Sequence, residues 1–387
     1  MEITSRFITP PKQSFFLFGP RGTGKSTWLR QTLPDALVVD LLQPDVAREL
    51  TARPERLRDL VRGSPRRSTV VIDEVQRVPE LLQVVHAIIE STDRRRFVLT
   101  GSSARKLRRG GVNLLAGRAV VRTLHPFMAA ELGRFDLEAA LTRGLLPLVV
   151  AADQPDDVLR AYASLYLDEE VRLEGWARNA GAFARFLEAI TFSHGAVLNA
   201  ANVARECEVE RKTVVAYIEV LEDLLLSFRL PPFTRRAKRD TTTHPKFFLF
   251  DAGVFRSLRP RGPLDRPHEI DGAALEGLVA QHLRAWLAYR LDDAKLFFWR
   301  TRSGVEVDFV IHGATGFWAL EVKNTARVRP EDLRGLDAFG TDYPQAELVL
   351  LYRGTRRERR GRVWILPVGE FLKALTPAST LPVGVDS

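Results

Sequence analysis

Residues Phe15-Phe16-Leu17-Phe18 run directly into Gly19-Pro20-Arg21-Gly22-Thr23-Gly24-Lys25-Ser26, which matches the pattern GxxxxGKS. This order predicts a buried strand, a glycine-rich loop and the start of a helix. The glycines let consecutive backbone N–H groups curl around a phosphate chain, and the positive end of the helix points at the same anion. Lys25 is expected to reach the β- and γ-phosphates, and the Ser26 hydroxyl to ligate Mg²⁺. The segment therefore predicts a nucleotide-binding P-loop.

Two adjacent acids follow a second strand-like run, Thr69 to Ile72. Asp73 is expected to hold Mg²⁺ through water, and Glu74 to polarise the water that attacks the γ-phosphate. The two motifs together predict Mg²⁺-dependent binding and hydrolysis of ATP. The residues expected to bind the nucleotide and its metal are Gly19, Pro20, Arg21, Gly22, Thr23, Gly24, Lys25, Ser26, Thr27 and Asp73, with Ser26 and Asp73 as the metal ligands.

A third strand, Phe97 to Leu99, ends in polar residues. Thr100 is the predicted residue that contacts the γ-phosphate and reports its loss, and Ser102 is the alternative. Ala36 to Asp40 and Val120 to Leu124 supply the remaining strands. The pattern predicts a five-stranded parallel sheet with helices on both faces and the ligand at the carboxyl ends of the strands.

An arginine that stabilises the charge of the transition state would complete this site. The preferred candidate is Arg118, with an exposed, salt-bridging arginine as the alternative interpretation. Arg105 and the run Arg94-Arg95-Arg96 are further candidates, and the run is more typical of a solvated turn. An arginine supplied by a second subunit would require a homo-oligomer.

Length and composition limit the number of domains, the location of the protein, its cysteine chemistry and its type of partner. A chain of 387 residues favours two to three domains. Because it contains no apolar stretch of roughly 18 residues and no signal-peptide h-region, we expect a cytoplasmic protein without membrane contact. The single cysteine, Cys207, excludes an internal disulfide and a cysteine-based zinc site. A net charge of +9 favours anionic partners such as nucleic acid.

The middle of the chain carries helical patterns. Residues 1–135 are assigned to the ATPase domain, residues 136–182 to a helical lid or connector, and residues 183–255 to a winged helix-turn-helix whose second helix would lie in a DNA major groove. Seven basic residues suit phosphate contacts, namely Arg205, Arg211, Lys212, Arg235, Arg236, Lys238 and Arg239. The alternative is a winged helix that only packs or docks a protein, and any contact with double-stranded DNA is expected to be independent of its sequence.

Residues 256–387 show an α-β-β-β-α-β order, which is the core of the PD-(D/E)xK nuclease fold, an α/β fold like that of restriction endonucleases. Asp308 lies inside the second strand, and Glu321 and Lys323 fall on one face of the third. Asp308 and Glu321, with Glu276 from the preceding helix, are predicted to hold Mg²⁺ or Mn²⁺. Lys323 would orient or deprotonate the attacking water. The alternative is an accidental D…ExK spacing in an α/β domain.

The order of these motifs resembles that of the bacterial and archaeal AAA-like ATPases fused to a C-terminal region of unassigned function. The similarity rests on Gly19 to Thr27, Val71 to Gln76, Leu99 to Ser103, Leu115 to Arg118, Leu221 to Asp223, Lys246 to Asp251, Glu306 to Phe309 and Glu321 to Lys323. In that family the C-terminal region pairs a winged helix with a nuclease-like domain. The resemblance implies ATP binding and hydrolysis and assigns no physiological task.

The sequence therefore leads to two hypotheses about function. The first is an ATP-driven, DNA-associated enzyme whose C-terminal domain cleaves DNA with a metal ion. The second is a nucleotide-operated switch whose C-terminal half binds a protein or DNA without cleaving it. A signalling GTPase is disfavoured because the chain contains no guanine-reading NKxD motif.

Overall fold

The computed structural model describes residues 4–91, 95–102, 115, 117–166, 180–235, 239–263 and 265–383. The chain forms two compact units. The smaller unit comprises Ile8–His125 and Leu221–Leu225, and the larger unit comprises Met1–Phe7, Pro126–Val220 and Leu226–Ser387. Arg94, Arg105, Arg236 and Lys238 from the sequence predictions lie outside the described residues. No helix in the described part of the chain is both long and apolar enough to cross a membrane.

The smaller unit is built on the predicted five-stranded parallel sheet, which the structure confirms. Its spatial order is β2-β3-β4-β1-β5. Because all strands run the same way, their carboxyl ends meet at one edge, where Asp40 pairs in register with Asp73. The strands are β1 (Phe15–Phe18), β2 (Leu37–Asp40), β3 (Thr69–Asp73), β4 (Arg96–Gly101) and β5 (Val120–Thr123).

Helices cover both faces of this sheet, because successive strand residues point to opposite sides and nearly all are apolar. On one face, Phe16 and Ile72 pack with buried leucines and valines of three helices. On the other face, the Phe15 ring contacts Trp28 edge to face at 6.5 Å. The helices are α1 (Lys25–Thr32), α2 (Pro44–Ala52), α3 (Arg56–Arg62) and α4 (Leu81–Glu90), with a 3-10 turn at Val75–Arg77.

From Pro126 onwards, the larger unit contains a series of short helices. Asp136 caps the first helix by accepting hydrogen bonds from the N–H groups of Glu138 and Ala139. The helix ends at Gly144, whose φ of 72° is left-handed. The elements are α5 (Leu137–Arg143), α6 (Pro147–Val150), α7 (Pro155–Ala161), a π-helical turn (Tyr162–Tyr166) and a 3-10 turn (Ala129–Glu131).

A small antiparallel sheet with the order β6-β8-β7 follows. Ser227–Leu230 pairs antiparallel with the strand that begins at Lys246, with Phe228 opposite Phe248. The strands are β6 (Ala196–Val197), β7 (Ser227–Leu230) and β8 (Lys246–Leu249), and the helices are α8 (Ala180–Ile190), α9 (Ala200–Glu206), α10 (Arg211–Asp223) and α11 (Ala252–Leu258), with a 3-10 turn at Thr191–Ser193.

The C-terminal part of the larger unit contains a six-stranded mixed sheet, ordered β13-β14-β12-β11-β10-β9. The predicted α-β-β-β-α-β order is present, and it is followed by β13, β14 and a final helix. The long helix starts at Pro267, because proline suits the first helical turn. The strands are β9 (Lys295–Arg300), β10 (Glu306–Gly313), β11 (Gly316–Lys323), β12 (Glu347–Tyr352), β13 (Glu358–Arg360) and β14 (Val363–Pro367). The helices are α12 (Pro267–Arg290), α13 (Arg334–Asp342) and α14 (Val368–Ala374), with a 3-10 turn at Pro330–Leu333.

Candidate functional site

The P-loop connects β1 to α1 through two left-handed glycines. Gly22 has φ 80° and Gly24 has φ 84°, values that side chains with a Cβ rarely adopt. A Cβ on Gly19 would lie 2.6 Å from the carbonyl oxygen of Leu124, so this position also requires glycine. The loop therefore has the open backbone that a phosphate-binding turn needs, and α1 begins at Lys25 as predicted.

Lys25 is buried at the start of α1. Its Nζ donates a 2.7 Å hydrogen bond to the carbonyl oxygen of Gly19 and a weaker one, at 3.4 Å, to that of Pro20. These carbonyls belong to the first residues of the loop, so the ammonium lies across the loop that would surround a phosphate chain. The position agrees with a lysine that contacts phosphates as a point charge.

Asp73 joins the P-loop helix to the neighbouring strand β4. Ser26 Oγ donates a 2.6 Å hydrogen bond to Asp73 Oδ2. Thr100 Oγ1 donates to Asp73 Oδ1, and it accepts a hydrogen bond of 2.9 Å from the backbone N–H of Glu74. The structure thus brings together four predicted site residues from α1, the end of β3 and β4. Their hydroxyl and carboxylate oxygens are hard ligands that fit Mg²⁺.

Glu74 has an unusual backbone conformation and a neighbour that the sequence analysis missed. Its φ of 61° is left-handed, which is uncommon for a residue with a side chain. The Gln76 side-chain amide donates to Glu74 Oε2 and lies 3.4 Å from Ser102 Oγ. A Cβ on Gly101 would lie 2.6 Å from Gln76 Oε1, so that glycine leaves room for the amide. Gln76 is thus placed to orient the Glu74 carboxylate. One indication of this role was present in the sequence, because Gln76 is a polar residue next to Val75, which is buried.

The described arginine candidates have contacts of their own. The Arg118 guanidinium pairs with Glu90 at the end of α4, and both side chains are exposed. Arg95 Nη1 donates to the carbonyl oxygen of Pro65 at 3.2 Å. Arg96 donates to the carbonyl oxygen of Pro11 and lies over the Phe15 ring at 5.6 Å. The structure therefore gives each of these residues a local contact, and the arginine-finger role of Arg118 stays a prediction.

A second cluster of charged side chains lies in the larger unit, between β8, α12 and the six-stranded sheet. Lys246 Nζ lies 2.8 Å from Glu276 Oε1 and 3.1 Å from Asp308 Oδ1, and it also contacts Glu306. The Lys246 side chain is 1% exposed. The structure thus brings Glu276 and Asp308 together, as predicted, around a lysine that the sequence analysis did not single out.

The remaining predicted residues of this cluster pair with each other. Lys323 Nζ lies 2.6 Å from Glu321 Oε1, which agrees with their placement on one face of β11. Asp308 Oδ2 accepts a 2.9 Å hydrogen bond from the N–H of Val322. Among the described residues, no group of three or more histidine, cysteine or acidic side chains is arranged to hold a metal ion. The metal ligands predicted at Glu276, Asp308 and Glu321 therefore stay a prediction.

Burial and mutual repulsion shift the protonation of these acids. Burial, reinforced by the charge of Asp308, raises the pKa of Glu276 to about 8. The same two causes raise the pKa of Glu321 well above its usual range. Burial by itself would lower the pKa of Lys246, but Glu276, Asp308 and Glu306 raise it well above the ordinary value. Lys246 is therefore a buried ammonium ion that its carboxyl neighbours keep charged.

Four of the basic residues predicted to contact DNA interact with other side chains of the protein. Lys212 lies 2.8 Å from Glu210, and Arg239 lies 2.9 Å from Asp342. Arg205 donates to Asn202 in the same helix, and Arg235 lies 3.4 Å from His312. A surface cleft of about 560 Å³ is lined by Arg211, Arg229 and His244 among others. The cleft therefore carries two arginine side chains, Arg211 and Arg229.

Three regions of the chain match known families. Residues 11–133 match a family described as an AAA domain. Residues 134–265 and 271–371 match domains of unknown function, DUF8612 and DUF4143 respectively. The first match supports an AAA-like, nucleotide-binding domain of the ATPase type in the N-terminal part of the chain, and such a domain implies a nucleotide and Mg²⁺ as cofactors.

Similar whole proteins have no assigned activity. Uncharacterized proteins of Mycobacterium tuberculosis and Mycobacterium bovis are each 26% identical over 351 residues, which cover 88% of this chain and 76% of the relatives. An uncharacterized protein of Haemophilus influenzae is 22% identical over 265 residues, covering 63% of this chain and 62% of its own. A crystal structure of a Vibrio cholerae protein aligns over 94% of this chain and 96% of its own with 10% identity and a TM-score of 0.22, which is too low to inform the fold.

Proposed function

We propose that the smaller unit binds ATP with Mg²⁺ and hydrolyses it. The observation that carries this proposal is the Asp73 carboxylate, whose two oxygens are hydrogen-bonded to Ser26 and Thr100. A carboxylate at this position connects the residue that ligates Mg²⁺ with the strand that ends beside the γ-phosphate. The AAA match over residues 11–133 supports the same assignment.

Each residue has a separate task in this proposal. The P-loop N–H groups and Lys25 bind the phosphates, while Ser26 ligates Mg²⁺ and Asp73 holds it through water. Glu74 polarises a water molecule that attacks the γ-phosphorus, which breaks the bond to the bridging oxygen of ADP. Gln76 holds the Glu74 carboxylate. Thr100 contacts both Asp73 and the backbone of Glu74, so it can transmit the loss of the γ-phosphate to the water-positioning residue.

The test separates nucleotide binding from hydrolysis. Binding of a fluorescent ATP analogue and release of phosphate are measured for the wild type, Lys25→Ala and Glu74→Gln. We expect Lys25→Ala to lose binding and Glu74→Gln to bind normally while turning over at least about a hundredfold more slowly. Glu74→Gln turnover at the wild-type rate would remove Glu74 from the mechanism. If the wild type binds ATP but does not hydrolyse it, the remaining interpretation is that the protein is a nucleotide-operated switch.

For the larger unit we propose that it binds double-stranded DNA, under control of the nucleotide, without cleaving it. Two observations support this choice. The carboxyl groups that a nuclease would use for its metal are paired with Lys246 and Lys323. The cleft that contains Arg211 and Arg229 offers positive charge to a phosphate backbone.

DNA binding is tested by fluorescence anisotropy with a duplex, with and without ATP, while a plasmid assay with Mg²⁺ or Mn²⁺ reports cleavage. We expect ATP-dependent, salt-sensitive binding and intact plasmid. Arg211→Glu should weaken binding, whereas Arg357→Glu, a surface change outside the cleft, should not. Cleavage that Asp308→Ala abolishes would establish the nuclease instead. Equal binding by both variants would place the DNA elsewhere.

A further inference from the structure

We propose that Lys246 is the built-in cation of the carboxylate cluster in the larger unit, so that these carboxyl groups hold an ammonium ion in place of a divalent metal. The proposal concerns the chemistry of the cluster alone and is independent of ATP hydrolysis. Its main evidence is the convergence of Glu276, Glu306 and Asp308 on one nitrogen.

The number and geometry of the contacts match an ammonium group. Lysine Nζ carries three N–H donors and no acceptor. At Lys246 these three donors meet three carboxylates, from α12 and from two positions of β10. Lys246 Nζ also lies 5.6 Å from the centre of the Phe298 ring, whose face attracts a cation. Each donor of the buried ammonium therefore has a carboxyl group as its partner.

A divalent metal does not fit beside this ammonium. Mg²⁺ needs near-octahedral oxygen ligands at about 2.0 to 2.1 Å from the ion. The Glu276 and Asp308 oxygens that face the cluster are already 2.8 and 3.1 Å from Lys246 Nζ. The second oxygen of Asp308 accepts the Val322 N–H, and Glu321 pairs with Lys323. A metal at the same position would also place two like charges in contact in a buried site.

The balance of charges leads to the same conclusion. Four acids lie in the cluster, namely Glu276, Glu306, Asp308 and Glu321. Three cations meet them, because Arg300 Nη1 lies 2.8 Å from Glu306 Oε2 in addition to the contacts of Lys246 and Lys323. A metal site normally leaves its acids in excess so that the ion supplies the compensating charge. Here the side chains supply most of that charge themselves.

The lysine reaches the cluster from a different part of the larger unit. Lys246 begins β8 of the three-stranded sheet, whereas the acids lie on α12 and on the six-stranded sheet. Removal of the ammonium should therefore leave a cavity rich in carboxylate oxygens, which is the donor set that Mn²⁺ prefers. The proposal predicts that a substitution at this one position creates a divalent-cation site.

Mn²⁺ binding to the nucleotide-free full-length protein tests this, with the free ion followed by electron paramagnetic resonance. We compare the wild type, Asp308→Asn, Lys246→Met, and Lys246→Met combined with Asp308→Asn. We expect the wild type and Asp308→Asn to titrate identically. Lys246→Met should gain one ion per chain, bound at least about tenfold more tightly than by the wild type, and the double variant should lose it.

Several outcomes would overturn the proposal. One is an ion that the wild type binds and that Asp308→Asn loses, and this measurement needs no variant of Lys246. Another is a folded Lys246→Met protein, checked by circular dichroism, that gains no Mn²⁺. Neither readout involves DNA or ATP, so failure here is distinguishable from failure of the functions proposed above.

Discussion

Ser26 Oγ lies 2.6 Å from Asp73 Oδ2, so the residue that would ligate Mg²⁺ and the acid that would hold its water are in direct contact. Thr100 occupies the other oxygen of the same carboxylate. Asp73 is therefore oriented from both sides, and its position depends on hydroxyl groups from α1 and from β4. A metal ion arriving with ATP would find these oxygens already close together.

Thr100→Val tests the connection between Asp73 and Glu74. The change preserves the shape of a fully buried side chain but removes the donor to Asp73 and the acceptor of the Glu74 N–H. We expect turnover to fall about tenfold to a hundredfold, with ATP affinity changed less than about fivefold, since a lost hydrogen bond and an unsatisfied N–H cost about 1 to 3 kcal/mol. Thr100→Ser keeps the hydroxyl and should retain most of the activity. Equal losses in both variants would indicate a packing effect.

Gln76→Ala tests whether the amide orients the Glu74 carboxylate. Because it removes the donor to Glu74 Oε2, we expect the rate constant for hydrolysis to fall about tenfold without a change in ATP affinity. Gln83→Ala, at an exposed position of α4, is the matched control and should behave as the wild type. A weaker affinity with an unchanged rate constant would contradict the orienting role.

Arg118→Ala and Glu90→Ala distinguish a surface ion pair from a catalytic arginine. The two side chains bind each other and are 37% and 50% exposed, so solvent screens the pair and it contributes little to stability. We expect both variants to unfold at nearly the same urea concentration as the wild type and to hydrolyse ATP at its rate in dilute solution. A loss of turnover in Arg118→Ala alone, greatest at concentrations where subunits associate, would instead assign the arginine finger.

Lys246→Ala should be among the most destabilising single changes in the larger unit. Removing one partner of a buried charge cluster leaves its acids without compensation, which typically costs about 3 to 5 kcal/mol. Lys212→Ala removes an exposed lysine that is also paired with an acid, and it should change the stability far less because solvent screens that pair. Urea unfolding of the two variants provides the comparison, and equal midpoints would contradict the account of the cluster.

The stability of the larger unit should decrease in acid because His282 is buried in its neutral form. Burial lowers the pKa of His282 from 6.5 to about 4. Its Nε2 accepts the N–H of Ala129 at 2.9 Å, so a proton there would displace that hydrogen bond. A base with a lowered pKa in the folded state stabilises the fold above the unfolded value, and this contribution is lost as the pH falls from 6.5 towards 4. The shift corresponds to about 3 kcal/mol.

His282→Gln removes the titrating group, and we expect a flatter dependence of the unfolding free energy on pH between 4.5 and 7. The measurement is urea unfolding of both proteins across that range. An unchanged slope would mean that other groups, such as His194, dominate the acid response, since burial also lowers the pKa of His194, to about 3.

The nucleotide site was predictable because each of its parts is a short, contiguous stretch of sequence. The P-loop is a single segment. Asp73 follows the apolar run Thr69 to Ile72, which by itself predicts a buried strand. Gln76 and Lys246 were missed for a different reason. Their partners are set by tertiary packing, and Lys246 meets Glu276, Glu306 and Asp308 only after three separate elements come together.

One signal for Lys246 was nevertheless present. It begins an apolar strand and shares a face with Phe248, so an inward-pointing lysine required a buried acidic partner. The pairing of Glu321 with Lys323 followed from strand alternation alone. The left-handed backbone of Glu74 could not be anticipated, because nothing in the residue type favours that conformation.

The smaller unit includes Leu221–Leu225, which follow its other residues only after a long intervening stretch of chain. Leu225, with a left-handed φ of 60°, packs against the same apolar core as Phe16 and Ile72. A fragment that ends at residue 135 would therefore lack part of its own interior and expose apolar surface to water. Truncated fragments are therefore unsuitable for assigning an activity to one of the two units. Point substitutions in the intact chain are suitable, because they keep the apolar core of the smaller unit complete.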